Sequence, residues 1–268
     1  MKAADDHEVL DYFAKPGRTS DLTRHQPLID SLPADPVELI AIVHGLLIHE
    51  GVVAYRKLQY AAERFGDRKR TGAASILDGV LALDAAPLDV ERPVQMRMIG
   101  YCYHFALLYC ALLRAKGVPA RTRCGFAAYF RRDAWIDHWV VERWDRQQWI
   151  ITDPDARRVV VSRDEFHNGG AAWLACRAGE DDPQRHGNYT LWGWDELRGT
   201  LINDLGALNK VEVGDWDWCK WIDIADRDQP CEPTDAELDP IARLVDDDAA
   251  FAERLRVFED RLELRPPL

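Results

Sequence analysis

The sequence has few positive charges and no long run of them. Among its 268 residues, 34 are Lys or Arg and 46 are Asp or Glu, which gives a net charge of −12. Nowhere do five Lys or Arg residues follow one another. Nucleic acid and anionic membranes would repel such a chain, so neither is expected as a partner. The sequence makes no prediction about the oligomeric state.

Long uncharged segments are also missing. Residues 1–15 contain several acidic side chains and no apolar run of the length that a signal peptide needs. No uncharged stretch approaches the roughly 18 residues that a membrane-spanning helix requires. The expected location is therefore the cytoplasm.

The usual patterns of metal ligands are absent. There is no CxxC, no Cys/His pair at zinc-finger spacing, and no series of spaced acids typical of a calcium site. No metal and no cofactor are therefore expected. The six cysteines, at positions 102, 110, 124, 176, 219 and 231, are predicted to be free thiols, several of them buried.

What remains is a folded chain of mixed secondary structure. Hydrophobic residues make up 47% of it, and 17 Gly and 14 Pro are ordinary counts. Residues 1–35 are predicted to be a polar, irregular N-terminal arm, 36–163 the core, and 164–268 a tryptophan-rich, mainly helical extension. Helices are predicted from Asp35-Pro36 onward, at 51–65, 72–83, 102–115 and 194–208, and as a pair within 234–264, while Asn168-Gly169-Gly170 is predicted to be a loop. Strands are predicted at 120–130, 138–144 and 148–153, the last two joined by a hairpin turn, so the fold class is α+β.

One cysteine lies at the start of a helix that is apolar on every side. Cys102 precedes the run from Phe105 to Leu113, and such a helix is typically buried. Unpaired N–H groups and the helix dipole favour an anion at the first turn, so a thiolate is expected to be stabilised there. The backbone N–H of Cys102 is suitably sited to donate to an oxyanion.

A histidine and an aspartate follow in the order that a thiol nucleophile needs. His138 lies 36 residues after Cys102 at the start of a predicted strand, and Asp153 lies 15 residues further on, at the end of the next strand. Antiparallel pairing would bring these two strand ends side by side. We therefore expect Asp153 to orient His138, and His138 to ionise Cys102.

Each of the three residues also has a simpler interpretation. A single cysteine is usually a small buried side chain, a single histidine is usually structural, and Asp-Pro often starts a turn. The order and placement of the three together favour catalysis. Two neighbours are excluded as partners of Cys102: His104 faces away from it on the helix and is predicted to be a packing or surface residue, and Cys110 is about 12 Å further along the axis.

Four blocks of sequence resemble the transglutaminase-like superfamily. They are Gly100–Ala106 (GYCYHFA), Leu112–Arg121 (LLRAKGVPAR), His138–Glu142 (HWVVE) and Trp149–Pro154 (WIITDP). The resemblance implies a papain-like α+β core in which Cys102 is the nucleophile, His138 the base and Asp153 the orienting residue. It covers roughly residues 96–155, and Leu201–Trp218 loosely resembles part of a bacterial subgroup.

The sequence departs from two better-known groups that share this triad order. Tyr103 follows the cysteine where protein-cross-linking members often have tryptophan, and no calcium-site pattern is present. Arylamine N-acetyltransferases carry an Arg-Gly-Gly motif before the cysteine, which is absent here. Both differences argue against those two activities.

Four further residues are candidates for the site. Gln95 is a candidate for the second oxyanion donor, although the simpler interpretation, a solvent-facing glutamine, is favoured. Tyr101 and Trp139 are predicted to wall the substrate site, and Trp135 to lie above it in a mobile loop, with core packing as the alternative. The tryptophans at 173, 192, 194, 216, 218 and 221 are interpreted as packing residues of the extension.

The predicted function is that of a cysteine enzyme acting on an amide, thioester or ester carbonyl through an acyl-enzyme. Hydrolysis of a small amide or peptide is preferred, because nothing indicates a protein-sized amine acceptor. Transfer of the acyl group to an amine is the alternative. A second alternative is an inactive protein that keeps the fold and binds a partner through its tryptophan-rich region.

Overall fold

The computed structural model of the chain describes residues 2–214 and 234–261. The elements in chain order are α1 (Lys2–Ala14), α2 (Gln26–Asp30), α3 (Pro36–Leu46), β1 (Leu47–His49), α4 (Glu50–Tyr55), α5 (Ala73–Leu83), β2 (Met98–Gly100), α6 (Cys102–Ala115), β3 (Ala120–Ala127), β4 (Trp135–Asp145), β5 (Gln148–Asp153), β6 (Arg158–Val161), β7 (Phe166–Asn168), α7 (Gly169–Ala178), β8 (His186–Gly187), α8 (Trp194–Leu208), α9 (Asp235–Asp246) and α10 (Phe251–Asp260). This mixture of helices and a largely antiparallel sheet confirms the α+β class.

The chain divides into two compact units. The first unit comprises residues 1–122 and 140–161, and the second comprises residues 123–139 and 162–268. Strands β3 and β4 contribute residues to both units. The chain therefore passes from one unit to the other within these two strands, and the predicted domain boundaries after residues 35 and 163 stay a prediction.

Helix α6 is the central element of the first unit. It packs against α1, α2, α3, α5 and β2, and every residue from Tyr103 to Arg114 is buried. Neighbours on all sides explain why the sequence is apolar around the whole helix. The buried guanidinium of Arg114 donates to the carbonyl of Ala120 at 2.9 Å and to the hydroxyl of Ser20 at 2.6 Å. The helix ends as predicted, with Gly117 at a φ of 75° just beyond it.

The N-terminal segment is not the irregular arm that was predicted. Residues 2–14 form α1, a short 3₁₀ helix covers Thr23–His25, and α2 follows. Phe13 and Ile29 are fully buried, and both α1 and α2 contact α6. The prediction was wrong because the apolar residues of this segment are few and widely spaced. These residues are buried by elements distant in sequence: Phe13 packs against Trp149, and both helices contact α6.

The segment between residues 50 and 70 also differs from expectation. In place of one helix over 51–65, α4 ends at Tyr55, and a 3₁₀ helix covers Ala62–Lys69. The break follows from Lys57, whose φ of 52° is left-handed and cannot continue an α-helix. By contrast, α3 begins as predicted: the Asp35 carboxylate accepts hydrogen bonds from the N–H groups of Val37 and Glu38 at 2.8 and 3.1 Å.

Two sets of strands support the first unit. Strands β4 and β5 form the predicted hairpin, in which Val141 lies opposite Thr152 and Asp145 opposite Gln148, and β6 adds to β5. The short strands β1 and β2 were not predicted. They pair in parallel, with His49 opposite Gly100, and so place the end of β1 beside the segment that leads into Cys102.

The second unit is built on α7, α8 and α9, which pack against one another. The sequence Asn168-Gly169-Gly170 was predicted to be a loop, but Asn168 caps α7 by accepting from the N–H of Ala171 at 2.8 Å. Gly170 is required there because a Cβ would lie 2.4 Å from the carbonyl oxygen of Ala242 on α9. Helix α8 and the two C-terminal helices confirm the prediction.

Some predicted features lie outside the described residues. These are Trp216, Trp218, Trp221, Cys219, Cys231, residues 215–218 of the Leu201–Trp218 resemblance, and residues 262–264 of the last predicted helix. Over the ranges that the structure does describe, none of the helices combines the length and the apolar character needed to cross a membrane.

Candidate functional site

Cys102 is the first residue of α6 and is partly exposed, unlike the buried Cys110, Cys124 and Cys176. The backbone before it is fixed by His104, whose Nδ1 accepts from the N–H of Tyr101 at 3.0 Å. Burial lowers the pKa of His104 to about 4, so its ring is neutral and suited to accept. The prediction that His104 is a packing residue and not a partner of the thiol agrees with this geometry.

Tyr101, the residue before the cysteine, joins a polar cluster of the first unit. Arg68 Nη1 lies 2.6 Å from each carboxylate oxygen of Glu50 and 3.0 Å from the hydroxyl of Tyr101. Burial alone would raise the pKa of Glu50, but hydrogen bonds from Arg68 and Tyr101 outweigh it and lower that pKa. Burial and the bond to Glu50 raise the pKa of Tyr101. Glu50 is therefore ionised, and Tyr101 keeps its proton.

A second polar cluster of the first unit holds the loop after β5. His44 Nε2 donates to the carbonyl of Asp155 at 2.7 Å, and His49 Nε2 lies 3.8 Å from the Asp155 carboxylate. Nδ1 of His49 accepts from the N–H of Gly51 at 2.9 Å, which leaves the proton of the neutral ring on Nε2. The ring of His49 is 6.1 Å from that of Tyr101, so this cluster approaches the start of α6.

Asp153 is the last residue of β5 and is fully buried. Its Oδ1 accepts from the N–H groups of Asp155 and Ala156, both at 2.9 Å. These two bonds form a turn that fixes the carboxylate at the end of the strand. The turn is itself held by His44 through the carbonyl of Asp155.

His138 lies in β4, within the second unit, and is 3% exposed. The ring of Phe130, which is 46% exposed, meets it edge-to-face at 4.7 Å, and the ring of Tyr129 lies at 6.3 Å. Both aromatic residues follow β3 in the connection to β4. The histidine therefore stands on a rigid strand with an exposed aromatic ring against it.

Two acidic residues of the second unit, Asp137 beside His138 in the chain and the buried Glu196, influence each other's ionisation. Burial raises the pKa of Asp137, against the attraction of His138, and burial together with repulsion from Asp137 raises the pKa of Glu196. Cys124 Sγ donates to Asp137 Oδ1 at 3.8 Å, and Asn188 Nδ2 donates to Glu196 Oε1 at 2.9 Å.

A second grouping of Cys, His and Asp is present in the second unit. Cys176 Sγ lies 3.7 Å from His186 Nδ1, and His186 Nε2 lies 3.8 Å from Asp181 Oδ2. Burial, together with the charges of Asp181 and Asp182, raises the pKa of Cys176 to about 12. A thiol that remains protonated at neutral pH is a poor nucleophile.

The four other candidate residues differ in exposure and in the elements that carry them. Trp135 is not in a mobile loop: it is the first residue of β4 and stacks on His167 with ring centroids 4.0 Å apart. Trp139 is 2% exposed, as expected for its alternative role in the core, whereas Tyr101 is 38% exposed. Gln95 is exposed in a short 3₁₀ helix, and its part in an oxyanion hole stays a prediction.

The three predicted catalytic residues each lie at a defined position on a regular element. Cys102 begins α6 and Asp153 ends β5 in the first unit, while His138 lies on β4 in the second unit. Their action as a triad stays a prediction.

Sequence reasoning missed several polar residues around these positions. His49, Glu50, Arg68 and Asp155 are near the start of α6 or the turn of Asp153, and Asp137 and Glu196 are acidic residues of the second unit whose ionisation is coupled. The only signal available was adjacency, since Asp137 immediately precedes His138. The others lie tens of residues from the motifs they approach.

Comparison with known proteins supports the motif assignment. Residues 84–154 match the family model of the transglutaminase-like superfamily, a segment that includes all three predicted catalytic residues. This match confirms the resemblance for that part of the chain. No curated protein matches.

One solved structure is similar over part of its length. It is a "putative cysteine protease" from Cytophaga hutchinsonii, with 20% sequence identity and a TM-score of 0.36. The match covers 59% of this chain and 45% of that chain, so this chain spans less than half of that protein.

Proposed function

We propose that this protein is a cysteine enzyme of the transglutaminase-like type, with Cys102 as nucleophile, His138 as general base and Asp153 as the residue that orients His138. The observation that carries the proposal is the position of Cys102: it is the partly exposed first residue of a buried helix, within the segment that matches the superfamily. A helix N-terminus favours the thiolate, and the buried helix body keeps the sulfur in place.

The proposed reaction has two steps. His138 takes the proton of Cys102, and the sulfur attacks the carbonyl carbon of an amide, forming a C–S bond as the carbonyl becomes an oxyanion. Collapse of this intermediate breaks the C–N bond, and the proton on His138 passes to the leaving amine. Water then attacks the thioester, again losing a proton to His138, and the Cys102 thiol is released with the acid product.

Hydrolysis of a small amide or peptide is the reaction that we favour. The alternative acceptor in the second step is an amine, which would make the protein an acyltransferase. A third possibility is a binding protein that retains the fold without turnover; the presence of all three catalytic residue types in the matched segment argues against it. A small substrate, a cytoplasmic location and the exclusion of nucleic acid and membranes remain predictions from the composition.

Thiol labelling tests the proposal without knowledge of the substrate. The protein is treated briefly with iodoacetamide at pH 6, and the modified cysteines are identified by peptide mass spectrometry. We expect Cys102 to react faster than the other five cysteines, because an ordinary thiol is almost entirely protonated at this pH. Labelling of Cys102 no faster than that of the other five cysteines would refute an activated nucleophile.

Intact mass spectrometry then identifies the acyl group. Wild type, Cys102→Ala and the control Cys176→Ala are incubated with a panel of amides, thioesters and peptides. We expect a covalent adduct in wild type and in Cys176→Ala but not in Cys102→Ala. Adding a small amine distinguishes the two second steps, since an acyltransferase releases an amide product and a hydrolase releases an acid.

A further inference from the structure

Asp153 is followed by a short turn whose tip is exposed. Strand β5 ends at Asp153 and β6 begins at Arg158, and Ala156 and Arg157 between them are exposed. The carboxylate of Asp153 accepts from the N–H groups of Asp155 and Ala156 and so stabilises the turn from within. Arg157 has a φ of 56°, a left-handed conformation that is strained for a residue with a side chain. An exposed turn of this kind needs further contacts if the carboxylate is to keep one position.

A histidine from a distant part of the chain supplies such a contact. His44 lies in the last turn of α3, and its Nε2 donates to the carbonyl of Asp155 at 2.7 Å across 111 positions of sequence. Burial lowers the pKa of His44 more than the bond to Asp155 raises it, so the ring is neutral at pH 7. A neutral imidazole has one N–H, and the bond to the carbonyl places it on Nε2. The single donor of His44 is therefore committed to the turn that follows Asp153.

The same imidazole packs against the helix that begins at Cys102. The ring centroids of His44 and Phe105 are 5.2 Å apart. Phe105 is three residues after Cys102 on α6, so the two residues are neighbours on the helix surface about one turn apart. His44 thus contacts both the helix of the proposed nucleophile and the turn that holds the proposed orienting carboxylate. All of these residues belong to the first unit.

A second histidine approaches the same turn from β1. His49 Nε2 lies 3.8 Å from Oδ2 of Asp155, and the ring of His49 is 6.5 Å from that of Phe105. A separation of 3.8 Å is too long for a hydrogen bond, so this contact is electrostatic and fixes no direction. The hydrogen bond from His44 does fix a direction, and it therefore constrains the turn more closely.

We propose that His44 is a positioning residue of the catalytic centre, which fixes the Asp153 carboxylate relative to the start of α6. It does so by donating to the carbonyl of Asp155 and by packing against Phe105. This inference rests on the proposed function, in which Asp153 orients His138. His44 touches no substrate and transfers no proton in this scheme, and its effect on the thiol requires the carboxylate of Asp153.

Two substitutions separate the donor of His44 from the bulk of its ring. His44→Gln keeps an N–H donor at about the same reach, whereas His44→Phe keeps a ring against Phe105 and removes the donor. His25→Phe is the matched control: His25 is also a half-buried histidine of the first unit, and its Nε2 lies 3.0 Å from the carboxylate of Asp78. Urea denaturation establishes that each variant is folded under the conditions of the assays.

Alkylation of Cys102 by iodoacetamide at pH 6 is the functional readout. We expect His44→Phe to slow it by about tenfold, because misplacement of a catalytic group by about 1 Å costs up to about a hundredfold in rate. His44→Gln and His25→Phe should stay within about twofold of wild type, since the first keeps a donor and the second lies elsewhere. An unchanged rate in His44→Phe, or an equal loss in His44→Gln, overturns the inference.

A double-mutant cycle distinguishes positioning from a general effect on the fold. The alkylation rate of Cys102 is measured in Asp153→Asn with and without His44→Phe. If His44 acts through Asp153, His44→Phe slows the reaction no further once the carboxylate has been replaced. If His44→Phe causes the same loss in both backgrounds, His44 only supports the fold and the inference fails.

Hydrogen exchange gives a readout that does not depend on the thiol. NMR measures the exchange rates of the Asp155 and Ala156 amides, which donate to Asp153. We expect both amides to exchange at least about tenfold faster in His44→Phe than in wild type, because the turn opens more often without its anchor. His44→Gln should retain the wild-type protection. Equal exchange in His44→Phe and wild type contradicts the proposed anchoring.

The labelling of wild type keeps the two proposals distinguishable. If Cys102 is selectively labelled and His44→Phe changes neither its rate nor the exchange of the turn, the proposed enzyme class stands and the inference fails. If Cys102 is not selectively labelled in wild type, the proposed function fails, and the catalytic role of His44 fails with it even where exchange shows that His44 holds the turn.

Discussion

Cys102 and Cys176 both lie on helices, but their environments are opposite. Cys102 is the first residue of α6 and is partly exposed, while Cys176 is near the C-terminal end of α7 and is 5% exposed. The N-terminal end of a helix favours an anion and the C-terminal end opposes one. Burial, Asp181 and Asp182 oppose a thiolate at Cys176 further.

This difference shows that closeness of a thiol to an imidazole does not make a nucleophile. Cys176 and His186 are 3.7 Å apart, yet the pKa of the thiol is raised to about 12. Position on the helix and access to solvent decide whether the thiolate exists. The same criteria favour Cys102, for which the proposed base, His138, lies 36 residues further along the sequence.

The largest expected effect is in the rates of alkylation. At pH 7, iodoacetamide should modify Cys102 at least about a thousandfold faster than Cys176, because a thiol whose pKa is about 12 has almost no thiolate at that pH. Peptide mass spectrometry after short exposures measures both rates in one sample. Rates within tenfold of each other would remove the distinction between the two sites.

The next largest effect is expected from replacing His138, and replacing His186 should not reproduce it. We expect His138→Asn to slow alkylation of Cys102 by about a hundredfold, the usual scale for loss of a general base. His186→Asn should leave that rate within about twofold of wild type. If both substitutions slow Cys102 equally, a general effect on folding is the better explanation, and circular dichroism of the two variants would reveal it.

Substitution at Cys176 should lower the stability of the fold more than substitution at Cys102, the reverse of their order in reactivity. Cys176→Ser is expected to lower the free energy of unfolding by about 1–3 kcal/mol, because it buries a hydroxyl group in place of a weakly polar thiol. Cys102→Ser, at a partly exposed position, should change it by less than about 0.5 kcal/mol. Urea denaturation of both variants measures these values, and a larger loss for Cys102→Ser would contradict the assigned environments.

The smallest effect is expected at Tyr101. Tyr101→Phe removes the hydroxyl that contacts Arg68 and Glu50, so the residue before Cys102 is held less firmly. We expect a two- to fivefold slower alkylation of Cys102, a few tenths of a kcal/mol to about 1 kcal/mol on the scale of one hydrogen bond. Tyr189→Phe is the matched control, since Tyr189 is 93% exposed, and it should have no effect.

Much of the first unit could be predicted because its signals are local. The apolar run from Phe105 to Leu113 predicts a buried helix, and the alternation around Trp144 and Trp149 predicts a hairpin. Strands β1 and β2 could not be found this way. Each has three residues, and their pairing joins segments about fifty residues apart.

The errors at the N-terminus and in the second unit have the same origin. Phe13 is buried against Trp149 and Arg121, and the helix that carries Ile29 contacts α6. Gly169 and Gly170 resemble a loop in the sequence, but in the structure they let α7 approach α8 and α9 closely. Local preference was overridden by packing in both places.

The sequence by itself determined the helix that begins at Cys102, the strands that carry His138 and Asp153, and the membership of all three in one matched segment. These features depend on neighbouring residues and their periodicity. Only the tertiary structure decided that Cys176 faces His186 and that the buried Glu196 is affected by the charge of Asp137, 59 residues before it. The ionisation of those groups depends on burial and on charges from other elements, and no local pattern encodes either quantity.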